Sequence, residues 1–243
     1  MRDAAQSSVA PYLTLSIRHR IGTLHLDVQF ALAQPWTILF GPSGSGKTTI
    51  LRTIAGLTTA ESGKIVASAN GTATTVLDTE ASINVAPHLR LTPLAPQSAN
   101  LFPHLTVQEN LAYGGGDDAR VPAVFGIEHL LGKLPAQLSG GEAQRVSLAR
   151  AAMAATPRLL LLDEPFTGLD LPLRSGLIEH LLVWQAQAGV PILSVTHDVA
   201  EAFQLGAEVI KLAEGRVVAQ GPVSEVLRDE RLRLLNQLEP RVG

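Results

Sequence analysis

The chain has no cysteine. Disulfides, thiolate nucleophiles and cysteine-based zinc sites are therefore excluded. Aromatic residues are scarce, 4% of 243 residues, although 46% of the chain is hydrophobic, so its core is built mainly from alanine, leucine and valine. Charge is nearly balanced: 19 Lys plus Arg against 22 Asp plus Glu leave a net −3, with no block of one sign. That balance supplies no basic face, and no nucleic-acid partner is expected. No apolar run approaches the roughly 18 to 20 residues that span a bilayer. The opening MRDAAQSSVA lacks the apolar centre of a signal peptide. If the protein works at a membrane, it does so through a partner.

What the chain does have is a succession of short apolar runs. Leu13–Ile17, Leu24–Val28 and Trp36–Phe40 read as strands after a loose start over residues 1 to 10. KTTILRTIAGL (47–57) carries helical spacing at Ile50, Leu51, Ile54 and Leu57, with Gly56 near its end. Residues 63 to 86 read as strands turned by the NG pair at 70–71. From about 98 to 156 strand-like runs vanish and helical pattern dominates, broken by GGGDD (114–118). RLLLLDEP (158–165) and VPILSVTHD (190–198) look like buried parallel strands that end in polar residues. Strand pattern returns over 205 to 221, and residues 222 to 238 read as helical. There is no internal repeat or low-complexity segment.

GPSGSGKTT, residues 41 to 49, fits G-x-x-x-x-G-K-[ST] in the context that motif requires, a strand before and a helix after. Gly41, Pro42, Ser43, Gly44, Ser45, Gly46, Lys47, Thr48 and Thr49 form a candidate phosphate cradle. Glycines let backbone N–H groups face an anion, and the helix N-terminus adds its dipole. Lys47 would reach the β- and γ-phosphates, and the Thr48 hydroxyl would hold Mg²⁺. Asp163, at the end of LLLLD, is a second Mg²⁺ candidate, and Glu164 is placed to orient or deprotonate water. An acidic pair there could equally cap a helix. These motifs say only P-loop NTPase.

LSGGEAQR (138–145) narrows the field. Ser139 and Glu142 form S-x-x-E, an ordinary capping box, but Gly140 and Gly141 also leave bare N–H groups at a helix N-terminus. The stretch resembles the signature of the ATP-binding cassette (ABC) ATPases. Other motifs of that family follow in order: Gln97 in LAPQ, Asp170 in GLD, His197 in SVTHD. The six motifs lie within roughly residues 12 to 225, and LAPQSANLFPHLTVQENL and PAQLSGGEAQRVSLARA are similar to molybdate- and sulfate-type importer ATPases.

The resemblance implies an α/β fold: a RecA-like P-loop core with an antiparallel β subdomain (12–97 and 156–225), a helical signature subdomain (98–155) and a helical tail (226–243). It implies two cassettes, a homodimer or a paired cassette, closing head to tail over ATP and Mg²⁺. Ser139, Gly140, Gly141 and Asp170 of one would face the P-loop of the other. Glu164 would polarise water, His197 would contact the γ-phosphate, and Gln97 would sense Mg²⁺ and water. The implied function is ATP hydrolysis coupled to import, of molybdate or a related oxyanion, peripheral at the cytoplasmic face of the cell membrane. Implied partners are integral permease subunits and, indirectly, a periplasmic or surface substrate-binding protein. Residues 98 to 111 resemble the part that meets the permease, where Leu101, Phe102 and Leu105 pack the core, face a partner, or divide between the two. The alternatives are a soluble ABC ATPase, which usually carries long coiled-coil inserts or paired cassettes, and a cassette that only binds ATP, against which Lys47, Asp163, Glu164 and His197 stand intact.

Three features depart from the family pattern. Where an aromatic usually stacks on adenine, SIRHRIG offers Arg18 or His19, and a planar guanidinium can stack. The insert before the signature is short, with YGGGDD where a longer helix is common. Many related importer ATPases carry a further C-terminal anion-binding domain; with an end at Gly243 none is expected here, nor any anion feedback through this subunit.

Overall fold

LTLSIRHRI and LHLDVQFAL alternate buried and exposed side chains, and they pair antiparallel with Leu15 opposite Phe30 and Ile17 opposite Val28. These strands, β1 (Leu13–Ile21) and β2 (Leu24–Leu32), face the core on one side only, which is why their sequence alternates. The computed structural model describes residues 10–69, 71–90, 92–155, 159–206 and 208–238. Asn70 of the expected NG turn lies outside them. The flanking strands β4 (Ser62–Ala69) and β5 (Thr72–Asp78) pair antiparallel, as that turn requires.

Strands buried on both faces look different in sequence. In β3 (Trp36–Phe40), β8 (Leu160–Asp163) and β9 (Ile192–Thr196) every residue is buried. Their side chains still alternate between two cores. Ile38, Phe40, Leu160, Leu162 and Ile192 pack on one side of the sheet; Leu39, Leu161, Leu193 and Val195 pack on the other. With β6 (Ile83–Asn84), β7 (Leu94–Ala95), β10 (Glu208–Ala213) and β11 (Arg216–Pro222) they complete a sheet of order β6-β5-β4-β1-β2-β11-β10-β3-β9-β8-β7. Pairing is parallel from β10 through β7 and antiparallel from β6 through β2 and between β10 and β11. The expected α/β class with an antiparallel part stands.

Helix α1 (Lys47–Ile54) packs Ile50, Leu51 and Ile54 into the second core. It stops three residues before the expected end, because Gly56 takes φ +81° and turns the chain. Between Asn100 and Ala155 no described residue is in a strand. The regular helices there are α2 (Val107–Ala112), α3 (Val121–Val124) and α4 (Gly140–Ala155). The rest is less helical than its pattern suggests. Asn110, fully buried, replaces helical bonding there: its side chain accepts from the Phe102 N–H and donates to the carbonyls of Phe102, Leu105 and Thr106. GGGDD forms a loop. Asp118 ties it down by accepting from Arg120 and from the Trp184 indole of α5 (Leu171–Ala188). Helix α6 (Val199–Leu205) follows β9; α7 (Val223–Val226) and α8 (Arg228–Leu238) close the described chain.

Candidate functional site

The carboxyl ends of parallel strands β3, β8 and β9 meet at one edge of the sheet, where open α/β sheets bind ligands. The loop after β3 is GPSGSG. Two of its glycines are required by geometry. A Cβ on Gly41 would stand 2.5 Å from the Leu212 carbonyl of β10. Gly46 caps α1 at φ +97°, and a Cβ there would stand 2.7 Å from Leu26. No side chain caps α1, so its first N–H groups remain open to an anion.

Lys47 is buried, and its ammonium donates to the carbonyls of Gly41 and Pro42 at 2.8 Å each. The lysine therefore lies back along its own loop. Burial pulls its pKa below the ordinary lysine range, opposed by the charges of Glu164 and Asp163. Thr48 Oγ1 donates to Asp163 Oδ1 at 3.1 Å. Burial raises the pKa of Asp163 against that hydrogen bond, and the Glu164 charge raises it further.

Glu164 is the convergence point. It stands in the left-handed region at φ +47°, strain of order 1 kcal/mol for a residue that is not glycine. Its N–H donates to the Val195 carbonyl. Gln97 Nε2, two residues past β7, donates to Oε2 at 3.0 Å; Thr167 Oγ1 donates to the same oxygen at 3.4 Å; His197 Nδ1, one residue past β9, lies 3.3 Å from Oε1. Gln97 and His197, far away in sequence, and Thr167 of the adjacent turn thus orient one carboxylate. The cleft around it, about 550 Å³, is lined by Ser43, Gly44, Gly46, Lys47, Thr48, Thr49, Gln97, Glu164 and His197 together with Ile21, Thr23 and Leu24.

Other sequence candidates lie elsewhere. Ser139 and Gly140 are exposed and do not line the cleft. Ser139 caps α4 in a full capping box with Glu142: its N–H and hydroxyl donate to the Glu142 carboxylate at 2.8 Å each, and the Glu142 N–H donates back to Oγ. Asp170 caps α5, accepting from the Leu173 N–H at 2.9 Å. Arg18 and His19 do not line the cleft. The β1–β2 register sets Arg18 opposite Asp27, which it contacts at 3.4 Å, and His19 opposite Leu26. The hairpin turn itself, with Ile21 and Leu24, supplies the cleft wall instead. The sequence reading also missed Thr167 and the Arg174–Asp198 ion pair at 2.8 Å. D-x-x-E over Asp198–Glu201, a helix-start signal, was the available hint: Asp198 caps α6 by accepting from the Glu201 N–H.

Leu101, Phe102 and Leu105 are partly buried, and Leu101 packs against the larger core. Phe102 packs against the exposed Tyr113 with the rings tilted at 56° and 4.3 Å between centroids, and it lies under the Arg150 guanidinium.

A family model described as ABC transporter matches residues 26–167. The chain is 40% identical over 230 residues to the molybdenum import ATP-binding protein ModC of Mesorhizobium japonicum, covering 91% of this chain and 60% of that protein. It is 40% identical over 224 residues to the molybdate/tungstate import ATP-binding protein WtpC of Archaeoglobus fulgidus, covering 88% and 89%. The chain thus spans 60% to 62% of the length of several molybdenum import relatives it matches. Among solved structures, the dimeric post-hydrolysis state of an ATP-binding cassette bound to ADP and Pi matches with a TM-score of 0.69 at 25% identity, covering 87% of this chain and 98% of that one.

Proposed function

The chain belongs to the ABC transporter family, and on that premise we propose that it binds and hydrolyses ATP as the motor subunit of an importer for molybdate, tungstate or a related oxyanion. The observation that carries the reading is the convergence of Gln97, Thr167 and His197 on the Glu164 carboxylate beside the Lys47 loop. The cargo rests on the names of the relatives. Substrate contacts of an importer lie outside its motor, so the cargo is not written in this site.

The open N–H groups of the loop and the α1 terminus receive the phosphates. Lys47 leaves its two carbonyls, or shares its ammonium with them, to meet the terminal phosphate oxygens. Thr48 and Asp163 fit a Mg²⁺ ion: both are hard oxygen donors, already within one hydrogen bond of each other, and a cation would replace that proton. Bound there, Mg²⁺ would neutralise developing phosphate charge. Glu164 accepts a hydrogen bond from the attacking water and takes its proton as the water oxygen bonds to the terminal phosphorus and the bond to the bridging oxygen breaks, releasing ADP and phosphate. His197 and Gln97 hold the carboxylate in line and can turn to the phosphate and the cation.

Ser139–Gly141 and Asp170 do not line this cleft, which supports a head-to-tail dimer in which each chain lends them to its partner's nucleotide. On this reading residues 98–155 form the signature subdomain, and the Phe102–Tyr113 surface faces an integral permease. No helix among the described residues is long and apolar enough to cross a membrane. The permease would hold the motor, peripherally, at the cytoplasmic face. A surface or periplasmic binding protein would deliver the cargo.

The test is phosphate release by the purified chain with Mg-ATP, wild type against Glu164→Gln. The substitution keeps shape and removes the base. Turnover should fall by ~10²- to 10⁴-fold, about 3 to 5 kcal/mol of barrier, with ATP affinity retained. Equal turnover in both proteins would remove Glu164 from the mechanism. Purification of the tagged chain from gently solubilised host membranes checks the transport half, since an importer motor must bring a polytopic partner with it.

A further inference from the structure

His197 is more than half exposed, so packing does not fix its ring against Glu164. Its backbone must. The residue that follows it is the best-anchored in the turn. Asp198 donates its N–H to Thr196 Oγ1 at 3.1 Å, and its carbonyl accepts from Ala202. One carboxylate oxygen caps α6 through the Glu201 N–H at 3.1 Å, and the other accepts from Arg174 Nη1 at 2.8 Å. The first three contacts lie within the β9–α6 turn. Only the last leaves it, and it runs to α5.

Arg174 stands one turn into α5. Its own N–H donates to the Asp170 carbonyl, so it moves with the Thr167-Gly168-Leu169-Asp170 turn. That turn starts at Thr167, which touches Glu164 directly. The contacts therefore close a ring: Glu164 to Thr167, along the turn to Asp170 and Arg174, across the ion pair to Asp198, then His197 and back to Glu164. The Arg174 and Asp198 side chains are 16% and 34% exposed, enough shielding for the pair to hold a geometry that a fully exposed one would not.

We propose that Arg174 is a positioning residue for hydrolysis: through Asp198 it ties the Gly168–Asp170 turn to the placement of His197 against Glu164. The proposal rests on the ATPase reading above. If the turn meets a second cassette, the ion pair makes docking of that turn a condition for aligning the site. Arg174 does not line the cleft, and it acts through the imidazole.

Arg174→Gln and Asp198→Asn test it, because Asn still caps α6 while losing the charge. The measurements are kcat and KM for Mg-ATP, ATP affinity of the isolated chain, and melting temperature. The expected result is a ~10- to 100-fold loss of kcat, the scale of a slightly misplaced group, with KM, ATP affinity and melting temperature nearly unchanged. The double variant should be no slower than the slower single one, since one contact is lost in each. Arg174→Lys should recover part of the rate. If wild type hydrolyses ATP and Arg174→Gln keeps its kcat, the positioning role is overturned while the ATPase reading stands. If kcat falls only in step with melting temperature and ATP affinity, the pair merely holds α5 to α6, and the proposal is overturned as well. If wild type shows no turnover, the ATPase reading falls and takes the proposal with it.

Discussion

Burial disfavours the charged form of two residues near the site, with different outcomes. Lys47 is pulled below its ordinary range but keeps two carbonyl acceptors and two carboxylates nearby, so it stays a cation ready for phosphate. Glu201 has less compensation. It is buried, one of its oxygens has no hydrogen-bond partner among the described residues, and burial raises its pKa to about 7. Asp198 and Glu164 add to that rise, while a Thr196 hydrogen bond and Arg174 oppose it. The unfolded carboxyl titrates near its ordinary 4.5. Between those values the folded chain holds a proton that the unfolded chain has released. The stability tied to it is complete below pH 4.5 and lost as pH rises through about 7, on the order of 3 kcal/mol at most. Glu201→Gln removes the titration. Its melting temperature relative to wild type should rise between pH 5 and pH 8; a difference flat in pH would show that Glu201 titrates normally.

At the scale of elements, α1 matters most because its first turn is the proposed phosphate cradle. What fixes its far end is Arg90, a guanidinium 2% exposed with no carboxylate among its hydrogen-bond partners. It donates to the carbonyls of Thr53, Ile54 and Val85 and to Asn84 Oδ1, tying the last turn of α1 to the segment at 84–85. Arg90→Met fills similar volume and removes all four of those hydrogen bonds. We expect a loss of about 2 to 4 kcal/mol in urea denaturation. A loss below ~0.5 kcal/mol would mean that water reaches the helix end. Arg90 was invisible in the sequence, where it is one arginine among surface-like neighbours. Its partners are backbone atoms brought together by the fold. The same limit explains Thr167 and Arg174, and the misplacement of Arg18 and His19, whose hairpin register cannot be counted from the P-loop. Asp163, Glu164 and His197 were legible because each sits at or just beyond the end of an apolar strand, and parallel strands bring such ends to one edge; Gln97 was legible only through the family resemblance of LAPQ. The Asn110 loop was read as helical because its apolar spacing is helical. The side-chain bonds that hold it otherwise leave no periodic trace.

At the scale of the whole molecule, two helix N-termini among the described residues are rich in glycine, and only one of them opens on the Glu164 cleft. The other, at Ser139 and Gly140, is exposed, and its own Glu142 already occupies the Ser139 hydroxyl. A second copy related by a two-fold axis gives both termini a use, twice, because each chain then meets the other's nucleotide. ATP bound by Glu164→Gln should therefore hold two chains together, since closure occurs and hydrolysis does not reopen it. Ser139→Arg in that background separates this arrangement from a monomeric one. The new side chain removes the cap, sets a cation at a helix N-terminus and fills the space a partner's phosphate would enter. Helix stability should drop by about 1 kcal/mol, with the chain still folded. Sedimentation with Mg-ATP should show a dimer for Glu164→Gln and a monomer for the double variant. ATP affinity measured below the dimerisation range should agree within about twofold, ~0.4 kcal/mol. If the double variant loses ATP binding as a monomer, Ser139 serves its own chain's nucleotide. If it still dimerises, the interface lies elsewhere on the surface.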